Sequence, residues 1–600
     1  MIIDTNIETK LYAKETIHLP NILKDKFPRI QSVYQPENIH DLKQMISDSR
    51  KNRLPVIPRG AATSGMGGIT PLKRSIMADL THLNRILDLD EKKKIASFEA
   101  GLRWWELKHF LKNHSLDLYT CPTSLFSTVG GWLSTGGYGI NSFRYGHISD
   151  LVESIEVITP YKTMTIDRRE PEFKYFIGTE GQMGIITKVG LKIRESKPSK
   201  SQLVFFKNTS EAVGFVSDIL KSPKIPPVHI SYFDQNRLEH KNLLLKGKIS
   251  FPQMEGVFIV FEDTSSEAAF LNLIERKKGI IAEDYLTEFL WNERFFPFSI
   301  KHFHHSILGC ETILPIRNLN YYIAETRRFG KNYGIPLSTE ATFINKNDAV
   351  VFTIFPSDSR KFIYFLHLFL TYSLTHIASR WGGKPYGIGI WNLPQLKKFF
   401  TDKALKEYRR FKKELDPLNL LNPAKSLSQD HKISFFLKFG YLMSDLFSNG
   451  NPLIKPFSKI LNHNHEVDKK SLSETDACAN CGACVSVCPA YLMNKTELVT
   501  AKGKLLLLKH LTDGSRVPKH IAQKAFMCLH CHLCEYVCQS KLKLMPVWDR
   551  LESLIEKKFG RPDEKIEEFV KKVESHPAYT QLIDSVSFSS NNNHRETKNV

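Results

Sequence analysis

PVIPRGAATSGMGG, from Pro55 to Gly68, decides how the first third of this chain folds. Its β-branched start predicts a strand, and the small residues that follow let backbone N–H groups approach a ligand closely. Successive amides in such a turn form a concave site for an anion such as a pyrophosphate. The run has neither the G-x-G-x-x-G of a Rossmann site nor the G-K-[ST] ending of a P-loop. The stretch therefore predicts an anion-binding loop of another fold.

Two more small-residue runs follow it at intervals along the chain. They are CPTSLFSTVGGWLSTGGYGINSFRYG (Cys121 to Gly146) and GTEGQMGIIT (Gly178 to Thr187), and DLTHLNRILDLDEKKKIASFEAG (Asp79 to Gly101) lies between the first run and the second. Each run alone is typical of a structural turn, so the order of the three carries the information. In this order, over about residues 31–193, the chain resembles the FAD-binding domain of the vanillyl-alcohol oxidase and p-cresol methylhydroxylase family.

The resemblance implies which residues contact FAD. The first loop would wrap the pyrophosphate, the second would line the flavin and ribityl chain, and the third would contact the adenosine side. A later element, LNLLNPAK (Leu418 to Lys425), resembles the segment by which the family returns to the flavin edge, although Pro423 is equally explained as a helix stop. The expected FAD contacts are Arg59, Gly60, Ala61, Ala62, Thr63, Ser64, Thr123, Ser127, Thr128, Gly131, Trp132, Ser134, Thr135, Glu180, Gly181, Ile185, Ile186, Asn422 and Lys425.

The way FAD is attached can also be anticipated. Many members of the family bind FAD covalently through a histidine in the first loop, and here Thr63 stands where that histidine is often found. Cys121 lies close to the second loop, but its spacing to Gly130 and Gly131 is longer than a cysteine linkage requires. We expect FAD to be bound non-covalently, with Cys121 a packed thiol.

Eight of the ten cysteines form two bursts, CANCGACVSVCP (Cys478 to Pro489) and CLHCHLCEYVC (Cys528 to Cys538). Each has the spacing C-x2-C-x2-C-x3-C, in which three thiolates reach one iron cube and the fourth reaches a second. Zinc is the competing interpretation, but a single zinc ion needs only four ligands. The pattern resembles the two-cluster bacterial ferredoxin module and predicts two [4Fe-4S] clusters. One would be held by Cys478, Cys481, Cys484 and Cys538, the other by Cys488, Cys528, Cys531 and Cys534.

Length and patterning predict an α+β protein of several domains. Strand patterns occur at 54–60, 150–159 and 256–263, and helical patterns at 38–51, 402–415 and 501–511. The predicted division is an N-terminal extension (1–30), an FAD-binding domain of the p-cresol methylhydroxylase type (31–195) and an α+β substrate or cap domain (196–425). The predicted division continues with a linker (426–470), a mainly helical ferredoxin-like two-cluster domain (471–560) and a polar tail (561–600).

The joining of an FAD domain to such a cluster module is similar to glycolate oxidase and to D-lactate dehydrogenases, which oxidise 2-hydroxy acids. The resemblance implies hydride transfer to flavin, with electrons leaving through the clusters to an acceptor such as quinone. SRWGGKPYGIGIWN (Ser379 to Asn392) supplies the expected substrate-binding residues: Arg380 or Lys384 for an anion and Tyr386 or Asn392 for a hydroxyl. A glycine-rich strand pair packed by its tryptophans is the structural alternative.

Other functions stay open at this point. The chain has no HGHxGDGNxH-like metal motif, which weakens the 2-hydroxy-acid assignment and leaves a sugar, sugar lactone or other alcohol possible. A flavin and iron-sulfur subunit that only relays electrons is an alternative of a different class. The net charge of +20 is compatible with nucleic acid, but no helicase or nuclease motif accompanies it, so we expect no nucleic-acid partner.

Residues 1–30 lack the pattern of a secretory signal, which predicts a cytoplasmic protein. The apolar stretch from Phe362 to Ala378 contains histidines and hydroxyl groups, so it predicts a buried helix rather than a membrane span. A second apolar segment, Ile433 to Phe447, has Lys432 and Lys438 nearby and allows peripheral contact with the inner face of the membrane. Packing between domains is the alternative for this segment.

Overall fold

The computed structural model describes residues 1–16, 27–245, 249–262, 266–428, 431–448, 473–577 and 579. Three β-sheets occupy the first two thirds of the chain and helices follow them, so the predicted α+β class with a helical C-terminal region is confirmed. Within the described residues, no helix is both long enough and apolar enough to span a bilayer.

The first sheet leads directly into the glycine-rich loop. Its strands in spatial order are Ile2–Ile3, Ile30–Tyr34, Ser75–Asp79 and Val56–Arg59; the first pair is antiparallel and the other pairs are parallel. Helix Ile39–Lys51 makes the crossover, and it begins at Asn38 because the side chain of Asn38 accepts a hydrogen bond from the N–H of Asp41. Strand Val56–Arg59 thereby delivers the chain to residue 60.

The second sheet is antiparallel and carries the other two loops. Its central strand, Ile185–Glu195, starts where the third glycine-rich run ends. The spatial order is Ile86–Asp90, Ile95–Glu99, Ile185–Glu195, Val152–Ile158 and Thr163–Asp167, with Leu116–Leu118 paired to the far end of the central strand.

The third sheet is antiparallel and forms the predicted cap region. Its order is Ile280–Ile281, Lys200–Phe206, Glu255–Phe261, His229–Phe233, Ser338–Phe343, Asp348–Ser357, Ser306–Pro315 and Lys384–Pro385. Helices Thr209–Lys221, Leu319–Tyr333 and Ile363–Arg380 pack one face, where alternate strand residues such as Ile259, Ala341 and Val351 are fully buried. Part of the opposite face packs against helices Gln235–Asn242 and Asp284–Glu293, and the rest of it lines a cavity.

The remaining α-helices connect and cover these sheets. They are Asn6–Tyr12, Trp104–Asn113, Val129–Thr135, Ser142–Tyr145, Gln235–Asn242, Glu267–Arg276, Asp284–Glu293, Leu396–Phe399, Asp402–Leu415, His431–Ser448, Glu474–Ala477, Ala483–Ser486, Pro489–Asn494, Ala501–Thr512, Lys519–Ala522, Leu533–Tyr536, Met545–Phe559 and Glu564–Glu574. Short 3-10 helices are Leu80–His82, Ile148–Leu151, Phe173–Tyr175, Ser299–Phe303, Ile316–Asn318, Leu393–Gln395, Glu497–Val499 and Gln523–Met527.

Three segments that the sequence predicted as peripheral contain packed elements. The N-terminal segment supplies an edge strand and a helix whose Leu11 is buried among residues of the C-terminal helices. Helix His431–Ser448 in the predicted linker packs on helix Ile363–Arg380. Helix Glu564–Glu574 in the predicted tail buries Ile566 and Val573. Residues 429–430 and 449–470 of the linker and residues 578 and 580–600 of the tail lie outside the described residues.

Candidate functional site

One cavity of about 380 Å³ lies between the glycine-rich loops and the open face of the third sheet. Its size is typical of a small-molecule site, and loops from two domains enclose it. The residues of the three loops that line it include Gly60, Ala61, Ala62, Thr63, Ser64, Thr123, Ser127, Thr128, Gly131, Trp132, Ser134, Thr135, Glu180, Gly181, Ile185 and Ile186. These are all but three of the residues expected to contact FAD.

The first loop offers a run of unused hydrogen-bond donors. Within the described structure, the backbone N–H groups of residues 60–64 donate to no protein acceptor. Buried or cavity-lining amides normally have a partner, so this run needs acceptors from a ligand. Ala62 holds a left-handed conformation with φ of 57°, which turns the loop around the cavity. The residues present thus fit a bound pyrophosphate.

The second loop enters the helix Val129–Thr135, which begins beside the first loop. Thr128 starts the helix, because its hydroxyl accepts a hydrogen bond from the N–H of Gly131 at 3.2 Å. Further on, a Cβ at Gly137 would lie 2.2 Å from Nε1 of Trp132 and 3.0 Å from Oη of Tyr386. Because Trp132 and Tyr386 come so close to Gly137, only glycine fits at this position. The second loop is therefore in close contact with Tyr386.

The open face of the third sheet presents two rows of side chains to the cavity. In the first row the strand register places Glu311 opposite Phe352, Phe352 opposite Glu340, and Glu340 opposite Phe233. The second row is Val350, Thr342, Ser231 and Phe258. All eight residues line the cavity. The wall therefore combines four apolar side chains and two hydroxyl groups with two carboxylates.

Most charged groups of this wall are paired with each other. Arg237 donates to Glu340 at 3.0 Å, and Lys241 lies 3.6 Å from Glu293. Lys541, three residues beyond the last cysteine, reaches the same Glu293 at 3.0 Å. The C-terminal module thus contributes to the electrostatics of the cavity.

Arg294 differs, because no carboxylate in the described structure pairs with it. Its guanidinium stacks on Trp291, 3.4 Å from the ring centre, and its Nε is buried without a hydrogen-bond acceptor. Burial lowers the pKa of Arg294 to about 9, which still leaves it charged at neutral pH. An unneutralised cation in an enclosed cavity is suited to bind the anionic group of a ligand.

Glu311 is the corresponding unpaired acid. No side-chain hydrogen bond or ion pair reaches its carboxyl within the described residues. Burial, and to a smaller extent the charge of Glu340, raises the pKa of Glu311 to about 7. A carboxyl with such a pKa can take up or release a proton near neutral pH.

The two cysteine bursts come together in the C-terminal helices. Burial, together with the neighbouring charges of Cys538 and Cys478, raises the pKa of Cys481 to about 12. Burial also raises the pKa of Cys488, and the neighbouring charges of Cys528 and Cys531 contribute to that rise. Cys534 in turn is close to Cys488 and Cys528. Most of these neighbours belong to the same predicted set, but Cys484 also has Cys534 of the other set as a neighbour. The division of the eight cysteines between two clusters stays a prediction.

The spacing of the cysteine side chains bears on the kind of metal group that they can hold. The described residues include no group of three or more His, Cys, Asp or Glu side chains spaced to hold a single metal ion. An iron-sulfur cube spreads its thiolates over four iron corners, so its ligand set is wider than that of one ion.

Three family models match separate parts of the chain: an FAD binding domain at residues 30–165, the C-terminal domain of FAD linked oxidases at 195–426, and a 4Fe-4S dicluster domain at 474–542. These matches confirm the predicted resemblance to the vanillyl-alcohol oxidase and p-cresol methylhydroxylase family of FAD-linked oxidoreductases. The matches also identify it as an FAD-dependent oxidoreductase with an iron-sulfur domain.

Relatives of this oxidoreductase are distant. Glycolate oxidase subunit GlcD of Bacillus subtilis is 22% identical over 438 residues, which cover 68% of this chain and 92% of the relative. A mitochondrial D-lactate dehydrogenase [cytochrome] of Arabidopsis thaliana is 20% identical, covering 65% and 72%. A solved p-cresol methylhydroxylase superposes with a TM-score of 0.57 at 13% identity, covering 71% of this chain and 94% of that one. That likeness shows the fold.

The substrate residues expected in this oxidoreductase are widely separated. Tyr386 lines the cavity, where its hydroxyl accepts from the N–H of Tyr138 at 2.7 Å and donates to its carbonyl at 3.1 Å. Arg380 instead pairs with Glu325 and Ser448 on the helix-covered side of the sheet. Lys384 is exposed on the edge strand, and Asn392 donates to the carbonyl of Gly387. Of the four, only Tyr386 is at the cavity.

Three expected FAD contacts lie behind the loops rather than at the cavity. Lys425 donates to the carbonyls of Gly67 and Thr70, and Asn422 donates to those of Gly68 and Glu180. Arg59 is buried between Asp79 and Glu497. These contacts fix the positions of the flavin loops, although Nε of Arg59 and Oδ1 of Asn422 are buried without a hydrogen-bond partner.

The sequence analysis missed Arg294 and Glu311. Glu311 is the one charged residue in the strand Ser306–Pro315, and an isolated acid in an apolar strand is a usable signal for a functional carboxyl. Arg294 has no such signal, since it follows a helix among other polar residues.

Proposed function

We propose that this oxidoreductase oxidises a small 2-hydroxy acid, such as D-lactate or glycolate, to the 2-oxo acid. The observation that carries the proposal is a cation and an acid in the cavity beside the flavin loops that have no ion-pair partner among the described residues: the Arg294 guanidinium, which donates to the carbonyl of Trp291, and the Glu311 carboxyl. A 2-hydroxy acid has the complementary groups, a carboxylate beside a hydroxyl. The similarity to glycolate oxidase and D-lactate dehydrogenase agrees with this substrate class.

In this proposal each residue has a defined task. Arg294 binds the substrate carboxylate, and Glu311 accepts the hydroxyl proton as the carbinol carbon gives up a hydride. FAD, when bound, supplies the hydride acceptor. Tyr386 is a positioning residue, because both hydrogen bonds of its hydroxyl go to the backbone of Tyr138 and join the substrate sheet to the flavin loop. The apolar side chains of the wall exclude water from the reacting groups.

The proposed cofactors are one non-covalent FAD and two [4Fe-4S] clusters. Thr63 offers no attachment atom of the histidine type, and the thiol of Cys121 is packed in the core of the second sheet. Cys478, Cys481, Cys484 and Cys538 would hold one cluster and Cys488, Cys528, Cys531 and Cys534 the other. Two electrons from the substrate would leave singly through the clusters to an acceptor such as quinone.

A membrane surface is the proposed docking place for this acceptor. Helix His431–Ser448 exposes Phe435, Phe439, Leu442 and Leu446 at helical spacing, and each is between 45% and 74% exposed. Its other face is buried: Leu437 packs with Ile390 and Leu393, and the carbonyl of Ser444 accepts a hydrogen bond from Ser373 of helix Ile363–Arg380. Lys438 is exposed beside the apolar stripe, so the cation and the stripe suit an anionic lipid surface. We propose a cytoplasmic protein bound to the inner face; the side chain of Lys432 lies outside those described.

An anaerobic absorbance titration with a substrate panel tests the proposed reaction. D-lactate, glycolate and other 2-hydroxy acids are expected to bleach the flavin and then the broad iron-sulfur absorbance. Bleaching only by sugars, lactones or simple alcohols would favour the alternative substrate classes. Reduction by dithionite but by no member of the panel would favour the electron-transfer subunit and contradict the dehydrogenase.

A further inference from the structure

Lys541 of the iron-sulfur module reaches the wall of the substrate cavity. Its Nζ lies 3.0 Å from Oε1 of Glu293 and 3.4 Å from the ring centre of Phe296. Both partners belong to the turn that ends helix Asp284–Glu293, and this turn also contains Arg294. The N–H of Phe296 donates to the carbonyl of Glu293 at 2.9 Å and closes the turn. Lys541 therefore contacts both ends of the turn that carries Arg294.

Arg294 has no polar anchor of its own outside residues 291–295 in the part of the chain that the structure describes. Its guanidinium donates to the carbonyl of Trp291 and stacks on the rings of Trp291 and Phe295. Phe295 in turn packs on the core of the second sheet. The direction of the guanidinium therefore depends on where the turn itself is held.

Glu293 holds the polar side of the turn and has two cationic neighbours. Lys541 lies 3.0 Å from its Oε1, and Lys241 of the cap domain lies 3.6 Å from its Oε2. Oε2 is buried without a hydrogen-bond partner, and the electrostatic attraction falls with distance, so the contact with Lys541 is the closer of two unequal ones. Removing Lys541 would leave a buried carboxylate that is only partly neutralised, which favours a rearrangement of the turn.

Lys541 is itself held by the loop that follows the second cysteine burst. It lies three residues after Cys538, and its N–H donates to the carbonyl of Cys538 at 3.0 Å. Its backbone is left-handed, with φ of 54°, a conformation that residues other than glycine seldom adopt. The N–H of Leu542 approaches Sγ of Cys538 at 3.4 Å. The position of Lys541 is thus tied to that of a predicted cluster ligand.

We propose that Lys541 is a positioning residue for Arg294, by which the iron-sulfur module helps to form the substrate-binding site. This inference rests on the proposed function, in which Arg294 binds the substrate carboxylate. Lys541 holds the ends of the turn, and the turn presents the guanidinium to the cavity. The cavity then binds a 2-hydroxy acid tightly only when the module that carries the electrons away is in place.

The test is a double-mutant cycle on the full-length holoprotein. The Kd for D-lactate or glycolate, whichever reduces the flavin, is taken from stopped-flow flavin reduction at varied substrate concentration, with iron and FAD content measured in parallel. Lys541→Gln is expected to raise this Kd about tenfold and to leave the limiting rate of flavin reduction unchanged. In an Arg294→Gln background it should have almost no further effect, because Lys541 acts on binding through Arg294.

Two further variants separate the charge of Lys541 from a general effect on the loop. Lys541→Arg keeps the positive charge, so it is expected to raise the Kd less than about threefold. Lys543→Gln is the matched control, because it removes an exposed lysine two residues further along the same segment. Its Kd should equal that of the wild type.

Three results would overturn the inference. They are an unchanged Kd in Lys541→Gln with full iron and FAD content, an equal rise in Lys543→Gln, and a tenfold rise that persists in the Arg294→Gln background. If Lys541→Gln loses iron, Phe296→Leu decides, because it removes only the ring that contacts Lys541. It should raise the Kd about threefold, and an unchanged Kd rejects the inference. An unchanged Kd in Arg294→Gln alone would refute the proposed role of Arg294, and this inference with it.

Discussion

At the residue scale, replacing Arg294 tests the binding of the substrate carboxylate separately from the other roles in the cavity. Arg294→Gln is expected to raise the Kd for a 2-hydroxy acid at least about 30-fold, because loss of a buried charge partner costs about 2 kcal/mol or more. Binding of FAD, followed by its absorbance, should be unchanged. The dependence of the flavin-reduction rate on substrate concentration, measured anaerobically by stopped-flow absorbance, gives this Kd.

Arg380→Gln is the matched control for that experiment. It removes the same type of side chain from the same domain, but Arg380 pairs with Glu325 away from the cavity. Substrate affinity is expected to stay within about twofold of wild type, since surface pairs contribute 0 to about 1 kcal/mol. If Arg380→Gln weakened substrate binding and Arg294→Gln did not, the anion-binding role would pass to Arg380.

Glu311 makes a separate prediction about pH. As the proton acceptor it works only when ionised, so the rate of flavin reduction should rise with pH through about 7, the pKa that burial and Glu340 give it. Glu311→Gln should lose this rise and slow reduction about 100-fold to 10,000-fold, the usual contribution of a general base. Stopped-flow absorbance across pH 5–9 measures both. A wild-type rate that does not depend on pH in this range would contradict the role.

Arg294 and Glu311 also show which part of the site could not be predicted from the sequence. Small residues in order along the chain identified sixteen cavity-lining positions of the flavin loops, because a loop close to a ligand constrains residue type locally. Arg294 and Glu311 come from a helix end and a strand that are joined to the cavity only by tertiary packing. Arg380 and Lys384 were chosen for their residue type near glycines, and the fold directs them elsewhere.

At the element scale, regular segments with strong patterns were predictable. The helical patterns at 38–51 and 402–415 form helices Ile39–Lys51 and Asp402–Leu415, where capping by Asn38 and Thr401 agrees with the apolar spacing. The pairing of eight strands across residues 200–385 was not predictable, since long-range register leaves no local signal. Helix Glu564–Glu574 was missed because only two of its residues are buried.

Helix His431–Ser448 allows a test of membrane contact at this scale. The protein is expected to float with vesicles of phosphatidylcholine containing about a third phosphatidylglycerol, and not with pure phosphatidylcholine. Replacing Phe435, Phe439 and Leu442 together by serine should abolish flotation, because the apolar stripe is removed. Serine at Leu87, Tyr161 and Tyr285, which are 45% to 49% exposed elsewhere, is the control. Equal flotation of both triple variants would refute this docking surface.

At the scale of the whole molecule, a buried ion pair joins the flavin domain to the iron-sulfur module. Arg59, directly before the first flavin loop, lies 2.6 Å from Glu497, which also pairs with Lys502. Nearby, a Cβ at Gly482, between two cysteines of the first burst, would be 3.0 Å from the carbonyl of Ala61. The cluster-binding loop therefore rests on the FAD-binding loop. This contact suits electron transfer between the two cofactors.

The same ion pair predicts how stability depends on pH. Arg59 and Lys502 hold the pKa of Glu497 at about 2 against the opposing effect of burial, below about 4.3 in an unfolded chain. Its contribution is therefore full above pH 4.3 and is lost as pH falls towards 2. Glu497→Gln should destabilise the protein by about 3–5 kcal/mol at pH 7, since it leaves buried cations unpaired.

Melting of the protein followed by circular dichroism at pH 7 and pH 3.5 checks this prediction. The difference in Tm between Glu497→Gln and wild type should be large at pH 7 and smaller at pH 3.5, because wild-type Glu497 then loses part of its advantage. Glu474→Gln breaks the exposed pair with Arg550, so it should cost less than about 1 kcal/mol at either pH. If the two variants melted alike, the ion pair would not be what holds the iron-sulfur module against the flavin domain.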